Sequence, residues 1–367
     1  MENKNRKREY VGNNDRTMQH RTEMQTFKNR NNNLFRDMNG PYMIDWAITN
    51  RCNINCLHCR GMGKEELADK AVLRVAEEIP LLKPGWVIIE GGEPLLRKKL
   101  FDIIEIIHKK RIKTYLISNG MLLDEDLARK LADFDVNLMI SIDGADKESY
   151  EKIRVGASFE KLKDSVKIAA DCDILDSCPV TVGKHNYNQI GSLFKFVKDT
   201  GFKKITFLGL KPCENYRRYA LNAEEYEKVF FSIIEDQRKY EMDVFVDEPF
   251  FKPFLKEHDI NYSTSTENGI GVSETSGCIF GSYMFIETNG DVKPCTFAPV
   301  AMGNVNEKGL NEIWGDMQNS EFIRDIKDLS TRESPCKECK YLYECGGCKS
   351  RTFGLTGSWT ESDPSRK

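Results

Sequence analysis

From Met43 onward the chain alternates short apolar runs with amphipathic stretches. MIDWAIT, opening at Met43, predicts a strand, and WVIIE (86–90), KTYLIS (113–118), NLMISI (137–142), CPVTV (178–182) and KITFLGL (204–210) predict five more. Between them lie helical patterns. KKLFDIIEIIHKK places Leu100, Ile103, Ile104 and Ile107 on one face, and DEDLARKLADF, SFEKLKDSVKIAA and IGSLFKFVKDT follow the same period. Apolar strands separated by amphipathic helices predict a parallel sheet with right-handed crossovers, an α/β fold in which ligands bind at the carboxyl ends of the strands. Residues 222 to 257 read as mainly helical, and the polar stretch 258 to 277 as a linker. Residues 1 to 41 are Asn-rich and lack apolar periodicity, so they read as a disordered tail.

Strand ends carry the distinctive residues. TNRCNINCLHC follows the first strand, GGEP (91–94) the second, SNG (118–120) the third and SIDG (141–144) the fourth, so the sheet topology gathers all four at one mouth.

Composition narrows the class. The chain has 367 residues, 40% hydrophobic and 30% charged, with a formal net charge of -3, which gives no electrostatic reason to expect a nucleic acid. No apolar run is long enough for a membrane span, and MENKNRKREYVGNNDR lacks the apolar core of a signal peptide, so a cytoplasmic protein is expected. Twelve cysteines in a chain of this kind point to metal rather than disulfides, because nine cluster at short spacings. Cys172, Cys178 and Cys213 stand apart and read as small buried hydrophobes.

Cys52, Cys56 and Cys59 stand in a CxxxCxxC spacing that supplies three thiolates where a metal centre wants four ligands. Asn53 and Asn55 favour a loop. A zinc ion with His58 as the fourth ligand, or three inert cysteines, fits the spacing as well.

CxxxCxxC, GGEP and SIDG, in this order at strand ends, resemble the radical SAM superfamily over residues 43 to 210. The resemblance implies a partial (β/α)6 TIM-like barrel over residues 42 to 257, with a [4Fe-4S] cluster on Cys52, Cys56 and Cys59. Its unique iron is left for the amino and carboxylate groups of S-adenosylmethionine. The implied cosubstrate contacts are Gly91, Gly92 and Glu93 for the ammonium, Ser141 and Asp143 for ribose or carboxylate, Arg154 for the carboxylate, and His58 near adenine. Val182 and residues 207 to 209 would add apolar and main-chain contacts. The implied reaction is reductive cleavage to a 5'-deoxyadenosyl radical, which abstracts a substrate hydrogen.

Residues 278 to 367 resemble the SPASM module, which binds auxiliary [4Fe-4S] clusters: GDVKPC ends at Cys295, and CKECKYLYECGGC holds Cys336, Cys339, Cys345 and Cys348. The likeness assigns Cys278, Cys295 and Cys348 to one auxiliary cluster and Cys336, Cys339 and Cys345 to a second. A zinc knuckle is the structural rival. The module often ends DPxC, but this chain ends ESDPSRK with Arg366 in place of that cysteine, so either Asp363 substitutes as ligand or the second cluster is site-differentiated, labile or absent.

Anaerobic sulfatase-maturing enzymes share the architecture but place an Asp base where Thr296 follows Cys295 here, which argues against that activity. Peptide maturases often carry an N-terminal leader-binding domain, which the residues before Met43 do not suggest. Two substrate classes remain, a ribosomally made peptide and a tetrapyrrole-type cofactor, with flavodoxin or ferredoxin as electron donor. The alternative in a different class is a non-catalytic iron-sulfur or zinc scaffold.

Overall fold

The structure is a computed structural model that describes residues 40–61, 65–211, 216–263, 266, 269–272 and 278–366. The tail expected up to residue 41 lies, up to residue 39, outside the described residues, as does Cys213.

Six strands run parallel in chain order: β1 (Ile44–Ala47), β3 (Val87–Glu90), β4 (Thr114–Ser118), β5 (Asn137–Ile140), β7 (Ser177–Val182) and β8 (Lys204–Gly209). These are the six strands expected. A parallel bridge between Leu138 and Leu175 joins β5 to the strands that follow. Two short strands, β2 (Asn55–Cys56) and β6 (Arg154–Val155), form a separate antiparallel ribbon at the cysteine loop. Beyond β8 the parallel array continues through β9 (Asp243–Asp247) and β10 (Ile270–Gly271). The segment read as mainly helical therefore contains a strand, DVFVD, whose five residues are too few to break the helical pattern on either side.

The other edge is extended by the cysteine-rich module itself. β11 (Met284–Ile286) pairs parallel with β1, and β12 (Asp291–Lys293) and β13 (Gly303–Asn304) follow antiparallel. Among the described residues β13 and β10 do not pair, so the barrel is open.

Helices cover the outer face: α1 (Asp69–Glu78), α2 (Leu100–His108), α3 (Glu125–Ala132), α4 (Lys147–Ile153), α5 (Phe159–Asp171), α6 (Ile190–Asp199), α7 (Ala223–Tyr240) and α8 (Phe251–Glu257). Local sequence fixes their starts. Asp124 accepts from the Leu127 N–H, Ser158 from that of Lys161, and Asp146 and Asn222 open capping boxes. The four α2 residues expected on one face are all buried, in one core with Ile44, Trp46, Val87 and Ile89 of the sheet. Strand alternation then points the intervening residues, such as Asp45, Ala47 and Glu90, into the lumen. The module adds α9 (Leu310–Asn319), α10 (Glu321–Lys327), α11 (Leu342–Cys345) and α12 (Lys349–Thr356). No described helix is long and apolar enough to cross a membrane.

Candidate active site and cysteine centres

The cysteine loop leaves β1 and is held by its neighbours' backbones. Gly92 N–H donates to the Thr49 carbonyl and Glu93 N–H to that of Arg51, both at 2.8 Å. This is why the motif needs two glycines. A Cβ on Gly91 would lie 2.4 Å from the Thr49 carbonyl oxygen, one on Gly92 2.3 Å from that of Arg51, and Gly91 has φ +149°. The β2–β6 ribbon sets Cys56 opposite Arg154, and Leu57 N–H donates to Ile153. Glu66 completes the brace by accepting from Thr49 Oγ1 at 2.6 Å and Asn50 N–H at 2.8 Å, itself anchored by Arg97 at 3.1 Å. With the backbone pinned this way, Cys52 and Cys59 are exposed and Cys56 is half-buried. Burial pushes the Cys56 thiol up to about 11, although Arg154 beside it acts in the opposite sense.

The predicted cosubstrate residues gather at this mouth, but several have other work. Glu93 is fully buried: Oε1 accepts from Ser118 Oγ at 2.9 Å and Leu95 N–H at 3.2 Å, and Oε2 from Asn119 N–H at 2.8 Å. Its carboxylate ties the second strand end to the third and keeps one lone pair in reserve. Gly91 and Gly92 press on the cysteine loop. Asp143 was expected to meet ribose or carboxylate directly. It is fully buried instead, with Oδ2 2.6 Å from Arg154 and 3.2 Å from His58, and Oδ1 accepting from Thr181 N–H at 2.7 Å. Burial alone would raise its pKa, but Arg154 and His58 outweigh that and hold it below the usual carboxylate range. Asp143 thus orients Arg154 and His58. Arg154 keeps its Nε unpartnered and Nη1 3.8 Å from the Cys56 sulfur. Ser141 sits half-buried at the end of β5.

His58 stacks on His185 with ring centroids 5.2 Å apart and planes 5° apart, and burial lowers its pKa to about 4. His185 comes from the loop after β7, and nothing in its local sequence marks it. Asn119 is a second residue whose contact the sequence did not reveal: Nδ2 donates to Asn53 Oδ1 at 2.9 Å and points to the Cys52 sulfur at 3.8 Å. Its signal was the SNG motif at a strand end.

In the C-terminal module the structure brings the cysteines together in two groups. The thiols of Cys278 and Cys348 are hydrogen-bonded to each other, which lowers the pKa of Cys278 and raises that of Cys348, and Cys295 lies close enough to Cys278 to interact electrostatically. Ser350 Oγ donates to Cys295 at 3.2 Å. Cys336, Cys339 and Cys345 line a separate cavity of about 310 Å³ with Glu257, Asp363 and Arg366. Three thiols facing one void suit an iron-sulfur cluster. Cys178 is fully buried and Cys172 half-buried, as expected of packing cysteines.

Asp363 is not placed to be the fourth ligand. Oδ1 accepts from Arg351 Nε at 3.1 Å and Ser365 N–H at 3.0 Å, and Oδ2 from Arg351 Nη2 at 2.8 Å and Cys348 N–H at 3.0 Å. Four donors exhaust its in-plane lone pairs, leaving none for iron. Arg366 pairs with Glu257 at 2.9 and 3.1 Å.

The radical SAM superfamily profile matches residues 46–197, and an iron-sulfur cluster-binding domain profile, SPASM, matches 278–340. The AdoMet-dependent heme synthase of Methanosarcina barkeri is 28% identical over 340 residues, covering 89% of this chain and 96% of that protein. The probable GTP 3',8-cyclase of Methanocaldococcus jannaschii is 32% identical over 221 residues, 54% of this chain and 72% of the relative. Among solved structures, Streptococcus suis SuiB bound to precursor peptide SuiA matches with a TM-score of 0.70 at 18% identity, covering 100% of this chain and 83% of SuiB.

Proposed function

Because the chain belongs to the radical SAM superfamily, we propose that it is an oxidoreductase that removes hydrogen from a tetrapyrrole-type substrate, with S-adenosylmethionine as cosubstrate. Its cofactors are a [4Fe-4S] cluster bound with S-adenosylmethionine and one or two auxiliary [4Fe-4S] clusters. When bound, the first cluster supplies the electron that cleaves the cosubstrate to a 5'-deoxyadenosyl radical.

The observation that carries the reading is the convergence of the cysteine loop, Glu93 and the Asp143–Arg154–His58 group on one mouth of the barrel. Cys52, Cys56 and Cys59 hold the cluster. Glu93, already committed to three donors, offers its remaining lone pair to the cosubstrate ammonium. Arg154, held by Asp143, presents Nε to the carboxylate, while Ser141 borders the ribose. The His58–His185 stack forms one wall for adenine. Cys278, Cys295 and Cys348 hold one auxiliary cluster, and Cys336, Cys339 and Cys345 the other.

The likeness over nearly its whole length to a heme synthase favours a tetrapyrrole over a peptide. A flavodoxin or ferredoxin serves as donor, and the enzyme works in the cytoplasm. The test is anaerobic reconstitution with dithionite and S-adenosylmethionine. The expected result is 5'-deoxyadenosine, formed faster with an iron porphyrin bearing carboxylate side chains, together with a mass change of decarboxylation or oxidation in the porphyrin. No 5'-deoxyadenosine from an iron- and sulfide-loaded protein refutes the enzyme reading. Turnover without change to any tetrapyrrole, and with change to a peptide, refutes the substrate.

A further inference from the structure

Six side-chain cations are buried among the described residues: Arg97, Arg154, Lys211, Arg332, Lys349 and Arg351. Four of them pair with carboxylates. Arg97 meets Glu66 and Asp69, Arg154 meets Asp143, Lys211 meets Asp247 and Glu248, and Arg351 meets Glu248 and Asp363. Arg332 and Lys349 do not. Arg332, 3% exposed, donates only to main-chain carbonyls: Nη1 to Trp359 and Glu361, both at 2.9 Å, and Nη2 to Gly346 at 2.6 Å. Lys349, 4% exposed, donates Nζ to the same Gly346 carbonyl at 3.1 Å.

Two basic side chains thus meet on one carbonyl, that of Gly346, in the segment between Cys345 and Cys348. Burying a cation without a counter-charge is unfavourable, and two that share an acceptor also repel each other. Asp363, across Gly347 from Arg332, is spent on Arg351. Burial and the neighbouring Arg332 lower the Lys349 pKa to about 7, and the groups that act in the opposite sense are Cys278 and Cys348 of one group and Cys345 of the other.

We infer that Arg332 and Lys349 form a buried positive site that is the counter-charge of the auxiliary clusters and holds their reduction potential up. This rests on the assignment of auxiliary clusters to the two cysteine groups. The sign follows from charge. Reduction adds one negative charge to a thiolate-bound cluster, and a fixed cation in a dry environment favours the more negative state. Both are positioning residues that act through the clusters. Lys349, near cysteines of both groups, acts on both potentials in the same direction.

The experiment uses the full-length, cluster-loaded chain carrying C52A, C56A and C59A, so that the auxiliary clusters alone are read. Its midpoint potentials are measured by EPR-monitored redox titration, with iron and sulfide counted. Lys349→Met should move at least one midpoint to a lower potential, Arg332→Met should move it in the same direction, and Lys349→Arg should restore it. Methionine variants that keep wild-type iron and sulfide and titrate at the wild-type potential overturn the inference. If Lys349→Met loses its clusters, retention in Lys349→Arg supports the counter-charge role, and loss there too overturns it in favour of packing. Absence of iron and sulfide from the triple-alanine parent overturns the auxiliary-cluster assignment and the inference with it.

Discussion

Arg351 is the residue on which the junction between barrel and C-terminal module depends, and Arg351→Met measures that dependence. The guanidinium is fully buried. It forks onto Asp363 at 3.1 and 2.8 Å, and through Nη1 reaches both oxygens of Glu248 at 2.8 Å and the Tyr226 hydroxyl at 3.3 Å. Its Cζ lies 5.4 and 5.1 Å from the ring centroids of Tyr226 and Phe250. Methionine keeps much of that packing and removes the charge. Two carboxylates then remain buried. Asp363 retains the Cys348 and Ser365 N–H groups, and Glu248 retains Lys211 at 3.5 Å and Tyr226 at 3.3 Å. Breaking a buried pair from one side costs about 3–5 kcal/mol, and the residual donors place this case toward the lower figure, about 3 kcal/mol.

The assay is anaerobic urea unfolding followed by circular dichroism, comparing variant and parent at equal iron and sulfide content. Removing the charges together, in R351M/E248Q/D363N, should recover at least half of the loss, because neutral amides cost less to bury than unpaired carboxylates. A loss below about 1 kcal/mol in R351M, or no recovery in the triple variant, refutes the reasoning.

Asp363→Asn should leave iron and sulfide content unchanged while costing about 1–3 kcal/mol in the same unfolding assay, since Asp363 serves Arg351 and not iron; loss of iron would reinstate it as a ligand. Gly92→Ala should lower bound iron by about four atoms per chain with the far-ultraviolet spectrum intact, since its Cβ would meet the Arg51 carbonyl at 2.3 Å. In cluster-free protein, stability should fall as pH drops from 6.5 toward 4. His58 titrates at about 4 when folded, so the unfolded chain binds the extra proton across that window. At about 1.4 kcal/mol per pH unit the loss is about 3 kcal/mol, and His58→Gln should remove that part of the slope.

The barrel was legible because its signal is local. Six apolar runs spaced by amphipathic helices, several of them opened by side-chain caps, leave little choice of topology. The strand β9 was not, since DVFVD is short and lies between α7 and α8. At the site, residue identity was legible and role was not. Gly91, Gly92, Glu93 and Asp143 all stand at the mouth, but what each hydrogen-bonds depends on which strand ends lie next to one another. Asp363 shows the same limit. DPSRK marked a missing cysteine, and only the fold brings Arg351, 12 residues earlier, into its carboxylate.

The strand β1 explains how two cysteine sets distant in sequence are held at a fixed spacing. Fully buried, it is hydrogen-bonded to β3 on one side and β11 on the other. Its lumen face meets the module directly: Asp45 Oδ2 accepts from Thr296 Oγ1 at 3.1 Å, and Ala47 packs with Tyr283 and Phe285 beside Cys295. Five residues beyond Ala47 comes Cys52, no more than about 17 Å away even in extended chain. The cysteine loop and Cys295 are therefore carried by one rigid element, not by two bodies that must dock. Inserting one residue into β1 would turn Asp45 and Ala47 toward the helices and undo that arrangement, without touching a single cysteine.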